Sequence, residues 1–172
     1  MAVDPAKTEA IDKCPKPTCV KELQIFLGMC NYYAKFVASF ANVAAPLYAL
    51  LHKDNPWKWT KECEAAFEAL KYALTHTPVL RLPDFNDPFE LETDASDIAV
   101  GGVLTQHGFP VAYYSKALNT AECNYPVHDR ELLAIVQACK RWRPYLAGSR
   151  TVVWTDHKPL INVAIQLNLN KH

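Results

Sequence analysis

From Phe89 to Asp94 apolar and acidic positions alternate without a break: Phe89, Leu91 and Thr93 against Glu90, Glu92 and Asp94. A two-residue period sends one set to each face of a pleated strand, so this stretch buries one face and shows its acids on the other. Upstream the period is different. Val20, Leu23, Phe26, Leu27 and Cys30 recur at helical spacing, and so do Phe67, Leu70 and Leu74. The change falls near Phe85. It divides the chain into a helical segment, residues 1–84, and a segment built on strands, residues 85–172.

In the first segment, residues 1–17 are rich in Pro and Lys and read as irregular. Thr18 is placed to cap the helix that follows, Pro46 suits the first turn of a second, and Thr60 caps a third. Tyr32, Tyr33, Phe36 and Phe40 extend an aromatic surface that fits either a packed core or stacking on nucleic acid.

In the second segment, Gly101–Leu104 and Val111–Tyr114 read as strands, with His107-Gly108 as the hairpin turn between them. A long helix is predicted from Val127 to Leu146, with Leu132, Ile135, Val136, Cys139 and Trp142 as its apolar positions. Thr151–Thr155 is a fourth strand. Sequential strands joined by tight turns pair antiparallel, whereas a strand reached through a helix returns parallel. The expected fold class is therefore α/β: three antiparallel strands, a helix and a parallel fourth strand in one mixed sheet, preceded by helices.

Bulk charge does not point to a partner. The chain has 18 basic and 18 acidic residues and a formal net charge of +0, and residues 1–88 and 89–172 are each balanced as well. Six cysteines are scattered with no CxxC pair, so a zinc site is not expected and reduced thiols in an intracellular chain are. The opening MAVDPAKTEA has no apolar core of a secretory signal. No run approaches the ~18–20 apolar residues of a membrane span.

Three acids sit where chemistry can be built. Asp94 lies near the end of the first strand, Glu131 in the first turns of the long helix, and Asp156 just after the fourth strand. If the first and fourth strands are neighbours, Asp94 and Asp156 come together, and a helix over the sheet can bring Glu131 to both. Clustered carboxylates repel unless cations lie between them, and hard oxygen ligands suit Mg²⁺ or Mn²⁺. Two such ions support phosphodiester cleavage. Spacing alone equally permits solvated acids at element ends, the reading adopted for Glu90, Glu92 and Asp97.

Longer motifs carry a resemblance. The run from Phe89 to Asp97 with Gly101-Gly102-Val103-Leu104, the stretch Pro110–Asn119, the stretch Asn124–Ala134 around Glu131, and Thr155-Asp156-His157-Lys158-Pro159-Leu160 resemble the RNase H domain of gypsy-type LTR retrotransposons. Val3–Lys7, Leu23–Tyr33, Trp59-Thr60, Ala65–Phe67 and Pro78–Leu80 resemble the reverse transcriptase thumb and connection of the same Pol polyproteins. The match is collinear over nearly the whole chain. It implies an RNase H-like domain whose catalytic, metal-binding acids are Asp94, Glu131 and Asp156. The implied cofactor is Mg²⁺ or Mn²⁺, the implied substrate an RNA–DNA hybrid cut in its RNA strand, and the implied partner the remainder of a Pol polyprotein. Ser96, Ser115, Asn119 and His157 are candidate contacts to nucleic acid, or turn and bystander residues. Lys140, Arg141, Arg143 and Arg150 form a basic cluster without an intervening acid, suited to phosphates or to a helix C-terminus.

Two family features are missing from the sequence. It contains no Asp-Asp dipeptide of a polymerase palm. None of the sixteen residues after Asp156 is an acid, whereas the family uses a fourth. The expectation is a domain truncated before its last strand and helix, without polymerase activity and with weak or no cleavage alone. The alternatives are a binding module without turnover and a decayed retrotransposon remnant.

Overall fold

A computed structural model describes residues 5–53, 55–76 and 80–155. The helical half holds α1 (Pro5–Asp12), α2 (Val20–Tyr32), a short 3-10 turn (Ala34–Phe36), α3 (Phe40–Ala49) and α4 (Lys61–Thr75). Their apolar stripes close on one core, in which Leu23, Phe26, Leu47, Phe67, Leu70 and Leu74 are fully buried. Phe26 and Phe67 meet with ring centroids 4.6 Å apart. The aromatic surface of the first segment is thus largely core: Tyr33, Phe36 and Phe40 are buried and Tyr32 alone of the four is exposed.

Several local expectations are corrected. The Pro- and Lys-rich start is helical from Pro5, a residue that tolerates the first helical position because no N–H is needed there. Thr18 does not cap α2. The cap position is Cys19, and Thr18 instead donates its N–H and its hydroxyl to the Glu22 carboxylate, which holds that carboxyl below its usual range. Pro46 lies inside α3, not at its start. Thr60 does cap α4, its hydroxyl accepting the Cys63 N–H.

The sheet has the order β3-β2-β1-β4, from β1 (Phe89–Ala95), β2 (Ala99–Gln106), β3 (Phe109–Ala117) and β4 (Thr151–Trp154). β1 pairs antiparallel with β2 and parallel with β4, in the register Phe89↔Thr151 to Glu92↔Trp154. The hairpin turn between β2 and β3 is His107-Gly108, both at positive φ (52° and 76°), the backbone that a two-residue turn of matching twist requires.

Between β3 and β4 lie α5 (Thr120–Cys123), α6 (Val127–Arg141) and α7 (Arg143–Leu146). The single long helix expected to Leu146 is broken at Trp142, because Pro144 has no N–H and its ring collides with the carbonyl four residues back. The buried face of α6 is also rotated from the expected one. Glu131, Ala134, Ile135, Ala138 and Cys139 face inward, while Leu132 and Val136 are exposed. α6 packs on the Phe89/Leu91/Thr93 face of the sheet with Trp142 and Leu146 completing that core. Gly102 permits the close approach: a Cβ there would stand 3.3 Å from the Glu92 carbonyl and 3.5 Å from the Trp142 ring.

The helical half docks against the other face of the sheet. Ser115 on β3 accepts the Ala41 N–H at the start of α3 (2.9 Å), and Ser96 donates to the Asn42 side chain (2.7 Å). Tyr113 packs into the helical core. Among the described residues no helix is long and apolar enough to cross a membrane.

Candidate active site

Strand alternation fixes where Asp94 points. Thr93 is buried beneath α6, so Asp94 emerges on the opposite face with Glu90 and Glu92. Its cross-strand partner is Gly101, and a Cβ there would face the Ser39 hydroxyl at 3.9 Å, on the side of the helical half. A cavity of about 430 Å³ opens here, between Ala38-Ser39, the exposed acids Glu92 and Asp94, the backbone of Gly101-Gly102 and the end of β4 at Trp154-Thr155. The indole N–H of Trp154 donates to Glu90 at 3.1 Å and sets that wall.

Glu131 reaches the same end of the sheet from the α6 side. It is buried at 5% exposure, and it does not line the cavity that holds Asp94. The two acids therefore approach the end of β1 from different faces. Asp156 and His157 lie outside the described residues. No group of three metal-ligating side chains is assembled among the described residues.

The ionisable groups lining the cavity are the Glu92 and Asp94 carboxylates, with Ser39 and Thr155 beside them and no Cys or His. That is a hard, all-oxygen donor set, which fits Mg²⁺ or Mn²⁺ and not a soft metal. The cysteines stand apart: all six are free thiols, and burial pushes the Cys30 thiol up to about 12 and also raises Cys139.

The remaining expected residues are placed as follows. Ser96 closes the β1–β2 turn, its hydroxyl accepting the Ala99 N–H (3.0 Å) while donating to Asn42. Ser115 is engaged by Ala41. Asn119 is the N-cap of α5 in a reciprocal capping box with Glu122. All three have structural partners inside the fold. Lys140, Arg141, Arg143 and Arg150 are exposed at the far end of α6 and before β4. Arg150 accepts the Phe89 N–H through its carbonyl, so this residue sits at the start of β1, about 16 Å of strand from Asp94. Asp97 is not a ligand, since its carboxylate takes the Arg130 guanidinium at 2.6 Å.

A family model described as an RNase H-like domain found in reverse transcriptase matches residues 59–153. The chain belongs to this family. It is 44% identical over 158 residues to the retrovirus-related Pol polyprotein from transposon 297 of Drosophila melanogaster, a match that covers 91% of this chain and 15% of that protein. It is also 44% identical over 163 residues to the transposon Tf2-3 polyprotein of Schizosaccharomyces pombe, covering 89% of this chain and 12% of the relative. This RNase H-like chain thus spans 12–15% of the length of these relatives.

Among solved structures, it superposes on the foamy viral protease-reverse transcriptase in complex with dsDNA with a TM-score of 0.77 at 24% identity, over 93% of this chain and 34% of that one. That likeness establishes the fold. The same viral enzyme in complex with RNA/DNA hybrid gives a TM-score of 0.74 at 26% identity, over 88% of this chain and 21% of that one.

Proposed function

We propose that this chain carries an RNase H-type site of a gypsy-like Pol polyprotein, directed at the RNA strand of an RNA–DNA hybrid. The observation that supports the reading is the exposed Asp94 near the end of β1, lining a cavity together with Trp154 and Thr155 at the end of the neighbouring parallel strand β4 and just past it. Asp156 is the next residue in sequence. A hard-cation site needs several carboxylates close together; Asp94 is near the end of β1, Asp156 follows the parallel β4 in sequence, and Glu131 is a third acid, from α6.

A bound Mg²⁺ or Mn²⁺ would supply Lewis acidity and a water of lowered pKa. The chain's own part is to hold the ion through Asp94, Glu131 and Asp156, and to bring the duplex to it. Lys140, Arg141, Arg143 and Arg150 are suited to the sugar–phosphate backbone. Their attraction for phosphates would be salt-sensitive. The hybrid-bound foamy viral enzyme, 26% identical to this chain, supports hybrid as the substrate class.

Cleavage of a labelled hybrid in Mg²⁺ or Mn²⁺ tests the reading. The expected result is slow hydrolysis of the RNA strand that Asp94→Asn abolishes. Cleavage that survives Asp94→Asn removes this acid from the chemistry. Salt-sensitive hybrid binding without turnover, weakened by Arg141→Ala with Arg143→Ala, would leave the binding module as the function.

A further inference from the structure

Glu131 is next to a residue that the sequence did not single out. Arg130 is the last residue of the first turn of α6, and its side chain is buried to 10% exposure. Its Nη1 donates to the Ser96 carbonyl (3.1 Å) and to the Asp97 carboxylate (2.6 Å), both in the turn that follows β1. Ser96 is two residues beyond Asp94. One guanidinium therefore links the residue beside Glu131 to the turn beside Asp94.

The start of α6 has no side-chain cap. Its cap position is Pro126, which supplies no side-chain acceptor, and Val127 is exposed. Successive helical residues point about 100° apart, so anchoring Arg130 sets both the rotation and the height of Glu131. Because the two acids reach the strand end from opposite faces, their separation depends on that height. The partners also differ in what they contribute. Asp97 is 90% exposed, so its charge is screened by water, whereas the Ser96 carbonyl is held by its own turn. The buried Nε of Arg130 has no partner among the described residues, so stability alone accounts poorly for a buried guanidinium here.

We propose that Arg130 is a positioning residue that holds Glu131 in register with Asp94, resting on the reading of the site given above. Groups that orient metal ligands typically change metal affinity about 10–100-fold when removed.

The test uses the full chain and Mn²⁺ alone, titrated by electron paramagnetic resonance, together with amide hydrogen exchange over residues 127–133. Arg130→Gln is expected to weaken Mn²⁺ binding about tenfold and to raise exchange in that segment, leaving the α4 amides protected. Arg130→Lys should recover most of the exchange protection and only part of the Mn²⁺ affinity, since one ammonium cannot reproduce the planar fork. Asp97→Asn should have the smallest effect. If Mn²⁺ binding falls in Asp94→Asn and Glu131→Gln but stays at wild-type strength in Arg130→Gln, this inference is overturned and the site stands. Binding that ignores Asp94→Asn and Glu131→Gln overturns the site, and the positioning role with it.

Discussion

Replacing Ser115 by Ala separates two roles that the sequence left open. In the fold the hydroxyl accepts the Ala41 N–H at 2.9 Å, and Ala41 is in the first turn of α3. That amide is one of the four donors a helix start leaves without an internal partner. The cap residue itself cannot serve it: Ser39 sits in the left-handed region (φ 51°) and makes no side-chain capping bond. Ser115 therefore caps α3 from a strand 74 residues away in sequence. Losing an N-cap acceptor costs ~0.5–2 kcal/mol, and leaving a buried donor unmade costs ~1–3 kcal/mol. Ser115 is half-buried, so water can reach part of the gap and about 1–1.5 kcal/mol is expected. For a chain of this size that lowers the thermal midpoint by roughly 3–5 °C. Guanidinium unfolding followed by circular dichroism should show a lower midpoint with an unchanged slope. Ser115→Thr, which keeps the hydroxyl, should stay near wild type. An unchanged midpoint in Ser115→Ala, together with hybrid affinity reduced several-fold, would refute the capping account and make Ser115 a nucleic-acid contact.

Two further outcomes follow from the core and from an ion pair. Trp142→Ala empties the space between Tyr114, Gly102 and the sheet and should cost ~3–5 kcal/mol, with loss of near-ultraviolet dichroism; a cost below about 1 kcal/mol would show that α6 does not rest on this residue. Glu122, bonded by Lys116 at 2.6 Å and by the Asn119 N–H, has its carboxyl held below the usual range, so its stabilisation is present above the unfolded value of about 4.3 and is lost as the pH falls through the lower folded one. Glu122→Gln should flatten that acid limb of the unfolding midpoint, and an unaltered pH profile would contradict the assignment.

The sheet was readable from sequence because its signals are local. The strict alternation of Phe89 to Asp94 reappears as the burial of β1, and His107-Gly108 supplies the positive φ values that a tight hairpin demands. Asp94 could be placed at a strand end for the same reason. The phase of α6 could not. Leu132 and Val136 look like core by hydrophobicity, yet the small Ala134 and Ala138 are buried, because Gly102 lets the helix settle close to the sheet. Close approach favours small side chains, and a periodicity count rewards large ones. Arg130 was missed on similar grounds. A buried guanidinium is recognisable only from the partners that satisfy it, and Ser96 and Asp97 lie more than thirty residues away in sequence. Ser96, Ser115 and Asn119 were noticed as polar residues flanking strands, but only tertiary contacts reveal that other parts of the chain already use their hydrogen bonds.

The two serine links between the helices and the sheet have a mechanical consequence. Both join α3 to the end of the sheet where Asp94 emerges, so the two halves meet at an angle that neither sets by itself. A strand half excised by cutting near residue 85 would keep its sheet and lose that alignment. It would also leave Ser96 without Asn42 and Tyr113 without its apolar neighbours.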